Sequence, residues 1–304
     1  MKTKLIILVA VLSYSITSVA QQDPQYTQYM YNQAIINPAY AGSTEGLSIT
    51  ALYRNQWSGF EGAPKTMTFS GHSALGNNLG AGLSVIADEH GPVTETNIYA
   101  DLSYTLSLNK TAKLAFGMKA GVTMHDIALN SGIIVADPGD PLFAEDINKT
   151  TPNIGIGAFY YTDNYYIGLS VPNLLNSIHL DENGRKFGSE IQHYFVTAGY
   201  VFQLTETTKF KPSVLVKSAF GAPLSYDINS NFLFLDKFEV GASYRSDDSF
   251  SGLVGFAYSN TMRIGYAYDH IISDINIGAS ASHEVFLQFD LSFPKKVSRS
   301  PRFF

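Results

Sequence analysis

The 304-residue chain contains no cysteine, which excludes a lipidated cysteine anchor, a disulfide framework and a thiolate metal site. Charge is scarce too. Asp, Glu, Lys and Arg make up 15% of the residues, against about 25% in an ordinary water-soluble domain, so much of this surface meets something other than water. After residue 20 no apolar run reaches the ~20 residues a spanning helix requires. Low charge without a spanning helix points to a closed β-barrel, because the bilayer core offers backbone N–H and C=O groups no other way to pair. Basic residues are also too few for a nucleic-acid partner. The net charge is −6, and −8 once Lys2 and Lys4 are removed with the leader described below.

Catalytic patterns are missing as well. The seven histidines (His72, His90, His125, His179, His193, His270 and His283) are scattered, with no HExxH and no helical pairing for zinc. No GxSxG elbow, P-loop, dinucleotide fingerprint or Ser-His-Asp set stands out, so the chain reads as a non-enzyme that needs no cofactor.

What is present begins with a leader. Lys2 and Lys4 precede the apolar run LIILVAVL, and Ser18-Val19-Ala20 closes it with small residues. Residues 1–20 are therefore expected to be a cleaved secretory signal. Beyond it, side chains alternate with period two. In FEVGASYR, Phe238, Val240, Ala242 and Tyr244 oppose Glu239, Gly241, Ser243 and Arg245, and EVFLQFDLSF sets Val285, Leu287, Phe289, Leu291 and Phe293 against a more polar face. Segments of this kind fall near 45–55, 65–75, 79–88, 94–107, 111–124, 152–162, 165–171, 190–204, 208–219, 224–234, 238–245, 249–258, 261–270 and 284–293, which predicts fourteen strands. A β-sandwich or propeller would carry ordinary surface charge on the face turned away from its core. Here that face is Gly, Ser, Thr and Asn with isolated charges, and tyrosines crowd the strand ends as in an interfacial girdle.

The joints alternate in length. Tight turns at Gly76-Asn77-Asn78, Asn109-Lys110, Asp163-Asn164, Thr205–Thr207, Asp236-Lys237 and Ser259-Asn260 are separated by mostly longer ones, including about 27 residues from His125 to Thr151 and about 18 from Pro172 to Ser189. Short turns at one rim and longer loops at the other describe an outer-membrane barrel with its turns and termini in the periplasm.

Fourteen strands leave a hole that side chains alone do not fill. The stretch QQDPQYTQYMYNQAIINPAYAG, with five glutamines, four tyrosines and one charge, lies on the periplasmic side just before the first strand. It carries the amides and phenols that a polar lumen suits, and it is expected to fold inward as a plug. The domain plan is thus a signal at 1–20, a plug at 21–44, the barrel at 45–293 and a basic periplasmic tail at 294–304 carrying Lys295, Lys296, Arg299 and Arg302. The tail reads as a solvated end before a docking segment for an acidic partner. Arg54, Asp101, Lys119, Lys217, Asp227, Glu239, Arg245, Arg263, Asp269 and Asp290 should point inward. Mixed signs favour pairing with one another and with the plug over ion selectivity.

Two loop features stay open or bland. Trp57, the only tryptophan, sits in a loop with Phe60, Gly62 and Pro64, either as an interface hot spot or as a girdle residue. Asp137, Asp140, Glu145 and Asp146 have the spacing of a solvated acidic loop before that of a calcium loop, and Asp181–Gly184 reads as a turn.

At these residues a resemblance becomes visible. DPQYTQYMYN followed by NPAYAG, then YRNQWSGFEGAP, IGLSVPNLLN and SHEV, occur in an order similar to that of the PorP/SprF family of Bacteroidetes outer-membrane proteins of the type IX secretion system. The resemblance implies a fourteen-stranded barrel akin to long-chain fatty-acid transporters, whose N-terminal segment also enters the lumen with an Asn-Pro-Ala element, here Asn37, Pro38 and Ala39. With them Tyr26, Tyr29, Tyr31 and Asn32 are the expected lumen residues. Trp57, Phe60 and Pro64, with Pro172, Asn173 and Leu174, are the expected partner-binding residues. The implied role is export and surface attachment of a partner, such as a gliding or adhesion protein with a C-terminal targeting domain, together with periplasmic secretion components. A transporter or porin for a hydrophobic or small solute is the alternative class. The tail after Phe293 departs from the family pattern and leaves Phe293 and Phe304 as two candidates for the barrel-assembly signal.

Overall fold

Every alternating segment finds an antiparallel neighbour on both sides, and the sheet closes on itself. The computed structural model describes residues 24–44, 46–129, 146–175, 178–182, 185–189, 192–220, 222–273 and 281–291, with backbone alone at 178–189. Its strands are β1 (Leu47–Asn55), β2 (Lys65–Gly76), β3 (Leu79–His90), β4 (Val93–Ser107), β5 (Lys113–Ile127), β6 (Ile147–Tyr161) and β7 (Tyr165–Val171). A hairpin of β8 (Ile178–Glu182) and β9 (Arg185–Ser189) follows, then β10 (His193–Tyr200) with its continuation β11 (Phe202–Gln203). The ring is completed by β12 (Thr208–Ala219), β13 (Ser225–Phe234), β14 (Phe238–Arg245), β15 (Ser249–Ala257), β16 (Met262–Ile271) and β17 (Ala281–Leu291). β1 pairs with both β2 and β17, and β10 with both β7 and β12, so with β10 and β11 taken as one stave the cylinder has fourteen. No edge is left to seek a partner, as a lipid-embedded sheet requires.

Alternation sorts the side chains as expected. Met67, Phe69, Leu83, Leu102 and Met118 face outward, while Arg54, Asp101, Lys119, Asp227, Glu239, Arg245 and Asp269 are buried on the inner face. Lys217, Arg263 and Asp290 are half-buried there. Around the short-turn rim the rings of Tyr165, Tyr200, Phe202, Phe210 and Phe232 touch in succession, forming an arc of an aromatic girdle. Asn77 and Asn78 make the first tight turn with φ of 52° and 67°, a left-handed pair that asparagine tolerates and that matches the twist of the flanking strands.

Several boundaries differ from the sequence reading. β5 and β6 run on to Ile127 and back to Ile147, since Val122–Ile127 and Ile147–Pro152 keep pairing beyond the apolar alternation. Asp181 and Glu182 belong to strand β8 and not to a turn; residues 183–184 lie outside the described residues. The acidic positions Asp137, Asp140 and Glu145, the leader and the whole tail, including Lys295, Lys296, Arg299, Arg302 and both terminal phenylalanine candidates, also lie outside them. Among the described residues no cluster of His, Asp and Glu fit for a metal is found.

Residues 24–44 occupy the lumen, almost all of them buried. A 3-10 turn at Tyr29–Tyr31, a one-turn helix α1 (Gln33–Ile36) and a second 3-10 turn at Pro38–Tyr40 fold this stretch tightly. The segment runs across the ring of strands. It joins β1 at the short-turn rim and crosses the lumen, so that the Tyr26 carbonyl accepts a hydrogen bond from Arg245 Nη2 at 3.1 Å, at the long-loop end of β14. The reason is electrostatic: the carboxylates able to receive its backbone N–H groups sit near that far rim.

Candidate functional site

The outer anchor begins with Glu284, whose side chain is fully buried. Strand β17 turns it inward, and its two oxygens accept the backbone N–H groups of Thr27 and Gln28 at 2.9 and 2.7 Å. Gln28 Nε2 adds a third bond at 3.2 Å, and Arg54 a fourth contact at 3.2 Å. Arg54 lies opposite Glu284 in the β1–β17 register and also meets Asp269 at 2.7 Å. Thr27 Oγ1 donates to Asp269 at 2.9 Å and accepts from Arg54 at 3.1 Å. A carboxylate removed from water at this depth is sustainable only with its lone pairs so occupied. Arg245, bidentate on Asp227 and bound to the Tyr26 carbonyl, closes the group.

The middle of the segment is held by single polar contacts over an apolar base. Tyr29 donates to Ser213 at 3.2 Å, Asn32 Nδ2 to Thr68 at 3.0 Å, and Lys119 Nζ to the Ile35 carbonyl at 2.6 Å. The Tyr31 hydroxyl bonds Glu239, which also pairs with Arg263 at 3.4 Å, and the Tyr31 ring stacks on Phe286 at 4.2 Å.

The inner anchor is Asn37-Pro38-Ala39. Asn37 Oδ1 accepts the Ala39 N–H at 3.0 Å, capping the turn that Pro38 opens. Its Nδ2 donates to the Ala158 carbonyl at 3.0 Å, between strands β6 and β7. Such close approach needs bare backbone on the wall. A Cβ on Gly117 would collide with Pro38 and Ala39, one on Gly157 with the Asn37 side chain, and one on Gly80 with the Ala41 carbonyl. Tyr40 then packs edge-on against His72 and Phe159, at 5.3 and 5.2 Å between ring centres.

Tyr26, Tyr29, Tyr31, Asn32, Asn37, Pro38 and Ala39 thus all lie buried in the lumen. The loop residues separate. Trp57 is half-buried at the long-loop rim with φ of 50°, a backbone state costly for a bulky residue. It is held because Trp57 N–H donates to Ser282 Oγ at 3.0 Å and Ser58 N–H to the Ala281 carbonyl at 2.7 Å. Phe60 is half exposed, and the Pro64 carbonyl accepts from Gln56 at 2.9 Å. Pro172, Asn173 and Leu174 sit on another arc of the ring and turn into its mouth. Asn153 Nδ2 donates to the Pro172 carbonyl and to Asn173 Oδ1 at 3.2 and 2.6 Å, while Leu174 N–H donates to the Ile154 carbonyl at 2.8 Å. Pro172 is buried, and Asn173 and Leu174 are half-buried.

Sequence reasoning did not single out Glu284, Thr27, Gln28 or the buried Lys211. The signal for Glu284 was available, since SHEV puts it in the inward phase of the last strand. The glycines were legible too: Gly80, Gly117 and Gly157 all share the inward phase of their strands.

Among curated proteins none matches. The fold is similar to that of Omp33, an outer-membrane protein of Acinetobacter baumannii, at a TM-score of 0.50 with 10% identity, covering 82% of this chain and 100% of that one. It is similar also to the monoaromatic hydrocarbon channel CymD, at 0.54 and 10% over 86% and 94% of the two chains. A Pseudomonas aeruginosa FadL homologue matches at 0.44 and 10% over 80% and 89%. The barrel thus shares its fold with Omp33 and CymD. The family model for the type IX secretion system membrane protein PorP/SprF matches residues 18–289, and the chain belongs to that family.

Proposed function

We propose that this barrel is a lumen-filled, non-catalytic platform of type IX secretion, which supports export and surface attachment of a partner protein through its rims. The observation that carries the reading is the hold on residues 24–44. Backbone N–H groups of Thr27 and Gln28 are committed to Glu284, and Asn37 is committed to the wall between β6 and β7. A lumen occupied in this way is suited to binding and not to bulk passage. The long-loop rim, with Trp57 and the half-exposed Phe60, is the surface for a secreted gliding or adhesion protein with a C-terminal targeting domain. The short-turn rim faces periplasmic components.

Liposome permeability and affinity capture test the two halves of this reading. Intact protein should leave small solutes trapped, and a variant lacking residues 24–44 should release them if it retains heat-modifiable migration. Capture from native outer membranes should recover a large surface protein or periplasmic secretion components. Their absence in several mild detergents would overturn the platform role. The second reading, a transporter for a small or hydrophobic solute, is favoured by the fold shared with CymD. Solute uptake by the intact, segment-containing barrel would establish it.

A further inference from the structure

On the outward face of β17, β1, β2 and β3 the wall is hollowed by an open, almost wholly apolar depression of about 450 Å³. Its floor is made by Ala51 and Ala87, which stand among larger side chains. Phe69 and Leu287 lie opposite Ala51, and Met67 lies opposite both Ala87 and Tyr53. Two small residues among large ones leave a hollow that spans two rows of outward side chains, about 7 Å apart along the strands. The outward face of a membrane barrel meets acyl chains and not water.

Two residues nearer the long loops, the outward side chains turn polar. Asn55, Lys65 and Glu89 stand side by side on β1, β2 and β3, and His283 of β17 lies opposite Asn55. The Tyr266 hydroxyl and His283 Nδ1 are 2.7 Å apart, which holds the imidazole at this level. Lys65 is the one Lys or Arg turned outward at the long-loop rim among the described side chains. Carboxylates lie to its other side. Glu89 is its partner in the β2–β3 register, Asp126 follows two strands on across Thr94, and the β1–β2 loop carries Glu61. Counted together these charges are negative, which disfavours an acidic headgroup. Their order, a cation with polar donors on one side and carboxylates on the other, matches a headgroup that carries both signs.

We infer that this surface binds one zwitterionic phospholipid with a primary ammonium, its acyl chain in the hollow over Ala51 and Ala87, its phosphate at Lys65, Asn55 and His283, and its ammonium at Glu89. An ethanolamine headgroup separates its two charges by a two-carbon link, and side chains opposite each other in an antiparallel pair start about 5 Å apart. The site does not depend on the export role, since partner capture tests that role and lipid retention tests this one.

The test uses the full mature protein in nanodiscs of phosphatidylethanolamine, phosphatidylcholine and phosphatidylglycerol in equal parts with identical acyl chains, and native mass spectrometry identifies the lipid that stays bound on release. We expect one lipid per barrel, with phosphatidylethanolamine favoured about fivefold over each of the others, the upper end for one exposed ion pair. Ala51→Trp fills the hollow and should abolish retention, while Ala242→Trp, on the lipid face of β14, should leave it unchanged. Glu89→Gln should remove the preference over phosphatidylcholine, and Lys65→Gln should reduce retention of all three lipids. Retained heat-modifiable migration shows that each variant is folded. No retained lipid, or retention unchanged in folded Ala51→Trp, overturns the site. Preference for phosphatidylglycerol, or equal retention of the three, overturns the headgroup assignment, since Lys65 and Glu89 then answer only each other. A barrel dimer that Ala51→Trp dissociates assigns the hollow to a second copy of the chain and overturns the lipid.

Discussion

Replacing Glu284 with glutamine isolates the outer anchor at almost constant volume. In the native protein one carboxylate oxygen accepts the Thr27 N–H at 2.9 Å and the other the Gln28 N–H at 2.7 Å, while Arg54 approaches at 3.2 Å. A carboxamide has one acceptor oxygen and one NH2. One of the two backbone donors must then face another donor, in a place where water does not reach. An unsatisfied buried donor costs about 1–3 kcal/mol, and breaking a buried ion pair about 3–5 kcal/mol. The two terms overlap, because Arg54 keeps Asp269 at 2.7 Å. The expected loss is about 3–5 kcal/mol from the free energy that holds residues 24–28 against the wall, or roughly 10²- to 10⁴-fold faster amide exchange at Thr27 and Gln28. Hydrogen exchange in nanodiscs reads this directly, with the barrel amides of β4 and β5 as an internal reference. Exchange at Thr27 and Gln28 within about threefold of the native protein would refute the claim that Glu284 holds the segment.

Asn37→Ala removes a cap and the side-chain bond to the Ala158 carbonyl, and should cost about 1–2 kcal/mol, seen as faster exchange at Ala39 with little change at Thr27. Gly157→Val places atoms where the Asn37 side chain sits; the folded variant should show ion conductance in planar bilayers, and a silent, folded variant would argue against the inner anchor. Since the chain has no cysteine, Gln25→Cys provides a single thiol, which a membrane-impermeant maleimide should label from outside intact cells if the segment crosses to the long-loop rim. Trp57→Ala should weaken partner capture while leaving the barrel's heat-modifiability intact; loss of both together would identify Trp57 as a girdle residue.

The cylinder was legible in the sequence because period-two alternation is written residue by residue: Phe238, Val240 and Ala242 against Glu239, Gly241 and Ser243 needs no partner to be read. Hairpin pairing then follows from the tight turns. What alternation does not carry is contact across the lumen. Glu284 lies 256 positions from Gln28, and nothing local distinguishes it from Asp290, another inward carboxylate. The path of residues 24–44 across the lumen is not written locally for the same reason, since it depends on where the receiving carboxylates stand in the closed ring. The hairpin of β8 and β9 was missed because its strands are only five residues each, too short for alternation to stand out.

The stretches that resemble the PorP/SprF family are dispersed along the chain but converge in space on the two anchors. Thr27 and Gln28 come from DPQYTQYMYN, Arg54 and Trp57 from YRNQWSGFEGAP, and Ser282 and Glu284 from SHEV; all six meet where β1 and β17 pair. Asn37, from NPAYAG, bonds the β6–β7 wall at Ala158 and lies against Gly168 of the IGLSVPNLLN stretch. The first group has a consequence for assembly. Arg54 and Glu284 are partners across the seam that joins the first strand to the last, so the site that receives Thr27 and Gln28 is complete only when the cylinder has closed. Conversely, a segment seated on Glu284 and Asp269 binds both sides of the β16–β17–β1 arc through Arg54 and Asp269. Closure of the wall and filling of the lumen are then one cooperative event, because each supplies the partners that make the other's buried charges tolerable.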